Sequence, residues 1–222
     1  MSREDVVLFG IGSVAEVLHH VLERSGQHRV VAFAVDRALI REPVFRGLPL
    51  VAWDEVARHY PPKRFRMMIA VGYVHANRLR AERFGQARDM GYRMISYVSP
   101  GAALWDGFTM GENCRIGDGV RIQPFSHIGD DVFIGSESFL GHHCVIGDHC
   151  YLSASVRIAG HVKVEPYCYI GINATIRNRV TLARSGVIGA GAVIHGDTVE
   201  GGVYMSPQAE LLPIRSDDLR PE

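Results

Sequence analysis

The chain has 222 residues, 47% of them hydrophobic, and 24 lysines plus arginines against 24 aspartates plus glutamates, so its formal charge at neutral pH is zero. Balanced charge gives no general electrostatic pull toward nucleic acid or an acidic membrane, and no apolar run approaches the ~20 residues that span a bilayer. The opening Met1-Ser-Arg-Glu-Asp5 is unlike the basic-then-apolar layout of a secretory signal, and the chain reads as a soluble, cytoplasmic protein of one or two domains.

Residues 6 to 98 alternate between strand and helix patterns. Apolar Val6–Phe9 predicts a strand, Val14–Ser25 a helix and Val30–Val35 a second strand, which together make a βαβ unit. Gly10-Ile-Gly12-Ser13 lies between the first strand and the helix, where glycines let a phosphate approach backbone amides at the positive helix end. Asp36 closes the second strand, where a ribose hydroxyl could be held. The third glycine of a dinucleotide fingerprint is missing, so the loop serves either a nucleotide or phosphate site or a tight turn without a ligand. Met67–Val71 predicts a further buried strand. Asn77–Met90, rich in arginine and alanine, predicts a helix whose polar face is solvated.

From Leu104 the pattern changes. Every sixth residue through Ile194 is aliphatic, including Ile122, Leu140, Ile158, Ile176 and Leu182, and glycine often follows. A six-residue period fits neither a helix nor a meander; it marks a β-helix of triangular coils with three short strands each. Residues eighteen apart then stack, with coils separated by roughly 4.8 Å. Cys114, Cys150 and Cys168 share one inward column with Val132, and Cys144 lies in another, so the four cysteines act as small apolar fillers. The register has no break, which leaves no room for a long inserted loop. Gly201–Pro213 leaves the period and is expected to fold back along the coils, followed by a polar tail.

His127, His142, His143, His149, His161 and His195 all lie in the repeat, and most are expected to be ordinary surface residues. His143 and His161 are eighteen apart and should sit one above the other, with His142 beside them, which makes a candidate site. A trimeric β-helix can also carry a catalytic zinc, but the His-x-x-x-x-His pair of such carbonic anhydrases is absent, and no C-x-x-C zinc spacing occurs; no metal is assigned.

The stretches Phe139-Leu-Gly-His142-His-Cys-Val-Ile-Gly-Asp148, Val156-Arg-Ile-Ala-Gly160 and Tyr169-Ile-Gly-Ile172-Asn173 resemble the hexapeptide-repeat sugar acyltransferases, in particular the bacillosamine N-acetyltransferase and sialic-acid O-acetyltransferase group. The resemblance covers nearly the whole chain. It implies a small Rossmann-like α/β domain over 1–98, a left-handed parallel β-helix over 99–213, and a tail over 214–222. It also implies His142 as general base with His143 in the place of the family's acidic neighbour. Gly160, Ile172, Ala190 and Gly191 would lie along the thioester arm of acetyl-CoA. Gly10, Gly12, Ser13, Asp36 and His161 are the candidate substrate contacts. Ser13 and Val14 stand where the family has glycine and histidine, and Met205-Ser-Pro207-Gln replaces its Gly-x-Pro-Ala clasp.

The implied function is acyl transfer from acetyl-CoA to an amino-deoxy sugar, nucleotide-linked, in glycan or surface-polysaccharide synthesis. A carboxylate beside the base would fix its tautomer, whereas a second imidazole does so less reliably. The same resemblance implies a homotrimer with composite sites, which apolar surface on a short prism would also favour. Sugar O-acetylation, a non-catalytic β-helix scaffold or ligand-binding protein, and an NAD-linked oxidoreductase are the rival readings.

Overall fold

The computed structural model describes residues 3–73, 75–213 and 215–216. Apart from Arg215 and Ser216, the expected polar tail lies outside the described residues.

The first part of the chain forms a five-stranded sheet. Its strands are β1 (Glu4–Phe9), β2 (His28–Val35), β3 (Val44–Phe45), β4 (Leu48–Ala52) and β5 (Arg66–Ile69), in the order β3-β4-β2-β1-β5. All neighbours are parallel except the β3–β4 edge. Val6, Val7 and Leu8 are wholly buried because β1 is covered on both faces, as a central parallel strand must be. Helix α1 (Ser13–Ser25) supplies one cover through Ala15, Leu18 and Leu22, whose spacing keeps them on one face. It stops at Gly26, whose φ of 69° is the left-handed cap that glycine adopts without strain. Helix α2 is the short turn Val56–His59, and helix α3 spans Arg78–Asp89.

From Tyr97 onward the chain winds through two-residue strands that pair only in parallel, eighteen residues on. They build three faces of seven, six and five strands. The inward aliphatics and Cys114, Cys144, Cys150 and Cys168 make one core. The thiols donate to carbonyls of the following turns, such as Cys144 Sγ to Ala159 O at 3.2 Å. Burial pushes Cys114 up to about 12 and drives Cys144 and Cys150 upward, which leaves these thiols inert.

Each corner turns through a left-handed residue at a fixed place in the repeat. One corner stacks Asn113, Asp131, His149 and Tyr167, and another Phe125, His143, His161 and Arg179, all with φ between 54° and 66°. Asn, Asp and His tolerate this region better than most side chains, so their recurrence here is a conformational choice.

Two expectations are corrected. Val203–Tyr204 does not fold back; it extends the seven-stranded face by pairing in parallel with Val187–Ile188, sixteen residues earlier, so the last coil is shortened by two residues. The polar face of α3 is solvated at Arg78, Glu82, Arg88 and Asp89, as expected, but not at Arg80. Arg80 and Asp131 are both fully buried and joined at 2.9 Å. Arg80 also donates to the carbonyls of Gly72, Asp131 and Cys150 and to Asn77 Oδ1, so all its N–H groups point at acceptors. Asp131 accepts from Asn113 Nδ2 at 2.7 Å and lies 2.9 Å from His149 Nδ1. Asn113 in turn accepts from the Ile69 N–H of β5 at 2.8 Å. This network, not an apolar seam alone, fixes the small α/β unit against the coils.

Candidate active site

Three imidazoles meet on the outside of the β-helix. His143 and His161 sit one coil apart with rings stacked at 4.9 Å and 17°, and His142 stands edge-on to both, at 5.3 and 4.9 Å between centroids. All three are exposed. The stacking follows from the eighteen-residue period, and the left-handed backbone at 143 and 161 turns both side chains out of the corner at the same angle. His142 Nδ1 lies 3.1 Å from His143 Nδ1, a hydrogen bond when one of the two rings carries its proton on that nitrogen. The His142 backbone is fixed by Gln123 Oε1 on its N–H at 3.1 Å and by the His161 N–H on its carbonyl at 2.9 Å. His161 is held below the usual imidazole range, first by desolvation, then by the Arg179 charge and the two neighbouring imidazoles. Phe125 continues the column at 5.0 Å from the His143 ring.

Gly160 is eighteen residues beyond His142 and lies directly above it. A Cβ at this position would come within 2.8 Å of His142 Nε2 and 2.9 Å of Cε1, so the ring occupies the space that the glycine leaves. The Nε2 edge therefore faces the Gly160 backbone while Nδ1 is taken by His143. Among the described residues the Gly160 N–H has no hydrogen-bond acceptor, although its carbonyl accepts from Arg179 N–H at 3.1 Å. A free amide beside an imidazole nitrogen offers a donor and a proton acceptor to one reacting centre.

The other expected residues lie elsewhere in the chain. Ile172, Ala190 and Gly191 are exposed at a different corner of the prism, on the far edge of the six-stranded face from His142. Gly10, Gly12, Ser13 and Asp36 line a cleft of about 610 Å³ at the ends of β1, β2 and β5. This is where the strand order reverses, between β1 and its neighbours β2 and β5, the usual ligand crevice of an open parallel sheet. Gly10 has φ 122°, and a Cβ there would meet the Ala70 carbonyl at 2.8 Å, so the close β1–β5 turn demands glycine. At Gly12 a Cβ would meet nothing within 4 Å. Asp36 is held by two bonds from Arg83 Nη2, at 2.9 and 3.0 Å, which orients its carboxylate on the cleft wall.

Leu39, Tyr73 and Tyr151 complete the cleft and were not singled out from the sequence. Tyr151 comes from the β-helix, stacks on Tyr169 and meets the edge of Tyr73, so the cleft is walled by both halves of the chain. The eighteen-residue spacing of Tyr151 and Tyr169 was the signal that could have found the pair.

Residues 125–160, which contain His142, His143 and Gly160, match the family of bacterial transferase hexapeptide repeats. PerB from Caulobacter crescentus, solved with CoA and GDP-perosamine, is similar at 27% identity over 92% of this chain and 95% of that one, with a TM-score of 0.82. The acetyltransferase domain of PglB from Neisseria gonorrhoeae, solved with acetyl coenzyme A, shares the fold at 22% identity, covering 95% and 100% of the two chains with a TM-score of 0.83. WeeI from Acinetobacter baumannii shares it at 17% identity over 90% and 95%, with a TM-score of 0.80. The parallel coils with an α/β unit before them are the left-handed β-helix architecture anticipated above.

Proposed function

We propose that this chain, which belongs to the hexapeptide-repeat sugar acyltransferases, moves an acetyl group from acetyl-CoA to the amine of a nucleotide-linked amino-deoxy sugar. The observation that carries this reading is that His142 Nε2 packs against Gly160, whose N–H has no hydrogen-bond acceptor among the described residues, on an exposed corner of the prism. In the proposed step Nε2 takes a proton from the sugar amine as its nitrogen bonds to the thioester carbonyl carbon. The Gly160 N–H stabilises the oxyanion, the carbon–sulfur bond breaks, and the imidazolium returns its proton to the departing thiolate. General-base help of this kind is worth typically about 10²–10⁴ in rate. His143 holds the Nδ1 side of the ring and so takes over the orienting role of the carboxylate found in the family.

The cleft around Gly10, Gly12, Ser13 and Asp36 suits the nucleotide portion of the acceptor. Helix α1 opens into it with its positive end, and Asp36 offers a fixed carboxylate to a base or ribose. PerB, similar along nearly its whole length, binds CoA and a nucleotide sugar together. The donor arm is proposed to pass Ile172, Ala190 and Gly191. Because these lie at another corner than His142, the reading includes a homotrimer in which one copy supplies the base and its neighbour the donor groove. Exposed Phe125 and Ile172, at 63% and 48%, are surfaces such packing would cover. Action in the cytoplasm, on a precursor for glycan or surface-polysaccharide synthesis, follows from the same substrates. Release of thiol from acetyl-CoA over a panel of nucleotide-linked amino sugars and plain sugars tests the reading. Acceptor-dependent turnover that vanishes in His142→Ala supports it, and full activity in that variant removes His142 as the base.

A further inference from the structure

The three imidazoles are spaced as ligands as well as catalysts. One ring nitrogen from each of His142, His143 and His161 lies within 4.8 Å of the other two, and among the described residues this is the only such group of three potential metal-ligating side chains. A tetrahedral ion bound at about 2.0–2.1 Å from each imidazole nitrogen sets neighbouring nitrogens about 3.3 Å apart and ring centroids about 5 Å apart. Here the closest nitrogens are 3.1 Å apart and the three centroid distances are 5.3, 4.9 and 4.9 Å. Turning the His143 or His161 ring out of their 17° stack would bring the three nitrogens, now within 4.8 Å of one another, into a facial set with the remaining positions open to water. The pair His143 and His161 is already ordered, since both are fixed by left-handed corners one coil apart.

We infer that His142, His143 and His161 form a binding site for one late first-row divalent ion, of which Zn²⁺ is the type, and that the ion switches the transferase off. All-imidazole donors favour zinc, copper and nickel over magnesium, calcium or manganese. The inhibitory step concerns one proton. In the free protein a single Nδ1 proton is shared between His142 and His143. When the ion takes both Nδ1 lone pairs, each neutral ring must carry its proton on Nε2. His142 Nε2 is the atom proposed above as proton acceptor, so the bound ion converts the base into a donor without breaking any covalent bond to carbon. Below the imidazole range the ion must first displace protons, and binding weakens as pH falls.

Binding does not depend on the acyltransferase reading; the inhibition does. The test uses tag-free, chelator-stripped full-length protein and titrates it with Co²⁺, followed by visible absorption, then with Zn²⁺ against a chromophoric chelator. One ion per chain is expected, with that step lost in each of His142→Asn, His143→Asn and His161→Asn while circular dichroism stays native. No uptake, or unchanged uptake in the triple variant, overturns the site. In the thiol-release assay Zn²⁺ is expected to abolish turnover at saturation and chelator to restore it; full turnover at saturation overturns the inhibition. Absence of turnover in stripped protein would instead refute the transferase reading, with the titration still deciding the site.

Discussion

The column Asn113, Asp131, His149 and Tyr167 and the column Phe125, His143, His161 and Arg179 occupy equivalent places in the repeat, each the left-handed residue of its corner. Their backbones are interchangeable and their surroundings are not. Helix α3 lies over the first column, so Asp131 is buried and compensated by Arg80, Asn113 and His149. Among the described residues no element covers His143 and His161, and both are exposed. A repeat that places a polar side chain at every corner thus yields structure where another element packs on it and chemistry where none does. The difference resides in the covering element, not in the coil.

Substitutions at the two corners should therefore have opposite phenotypes. The largest change in stability is expected for Arg80→Ala, which strands a buried carboxylate and several carbonyls; removing one partner of a buried pair costs about 3–5 kcal/mol. Chemical denaturation would read this as a clear fall in midpoint, whereas His143→Asn, which keeps a side chain tolerant of the left-handed corner, should shift stability by no more than about 0.5 kcal/mol. Conversely, His142→Ala should lower acceptor-dependent turnover by about 10²–10⁴ with its denaturation curve unmoved. A His142 variant that unfolds, or an Arg80 variant of native stability, would break the contrast. A smaller effect is expected from Gly160→Ala. Its methyl group would displace the His142 ring, and a misplaced catalytic group costs up to about 10²-fold. That loss should appear in kcat more than in KM, at unchanged stability.

How much of this was legible beforehand differs between the halves. The six-residue period gave the coils, their parallel pairing and the inward cysteines, because burial imposes the same demand on every turn. It also gave the His142, His143 and His161 cluster, because stacking turns a spacing of eighteen into contact. The βαβ unit and its cleft residues were readable from Gly10, Gly12 and Asp36, but Tyr73 and Tyr151 were not, since one wall of the cleft comes from a segment about eighty residues away. Arg80 was misread as solvated for a related reason. Composition cannot distinguish an arginine on a free helical face from one that sends three of its five hydrogen bonds into the adjacent coils. The shortened last coil was hidden by a two-residue deletion that ends the period without ending the sheet.

The smallest expected effect probes the exposed corner without removing an imidazole. His161 is held below its ordinary value of 6.5, first by desolvation and then by the charge of Arg179, the next residue of its column. Arg179→Gln should raise the His161 midpoint toward 6.5, as followed by NMR of the ring protons. The sign for folding follows from linkage. Between the lowered folded midpoint and 6.5 the unfolded chain binds more protons than the folded one, so stability falls as pH drops through that window and levels off below it. Because His161 is exposed, the slope is shallow, and Arg179→Gln should flatten it further. An unchanged midpoint would mean that solvent screens the two residues from one another, and that the exposed column, unlike its buried counterpart, does not couple its members electrically.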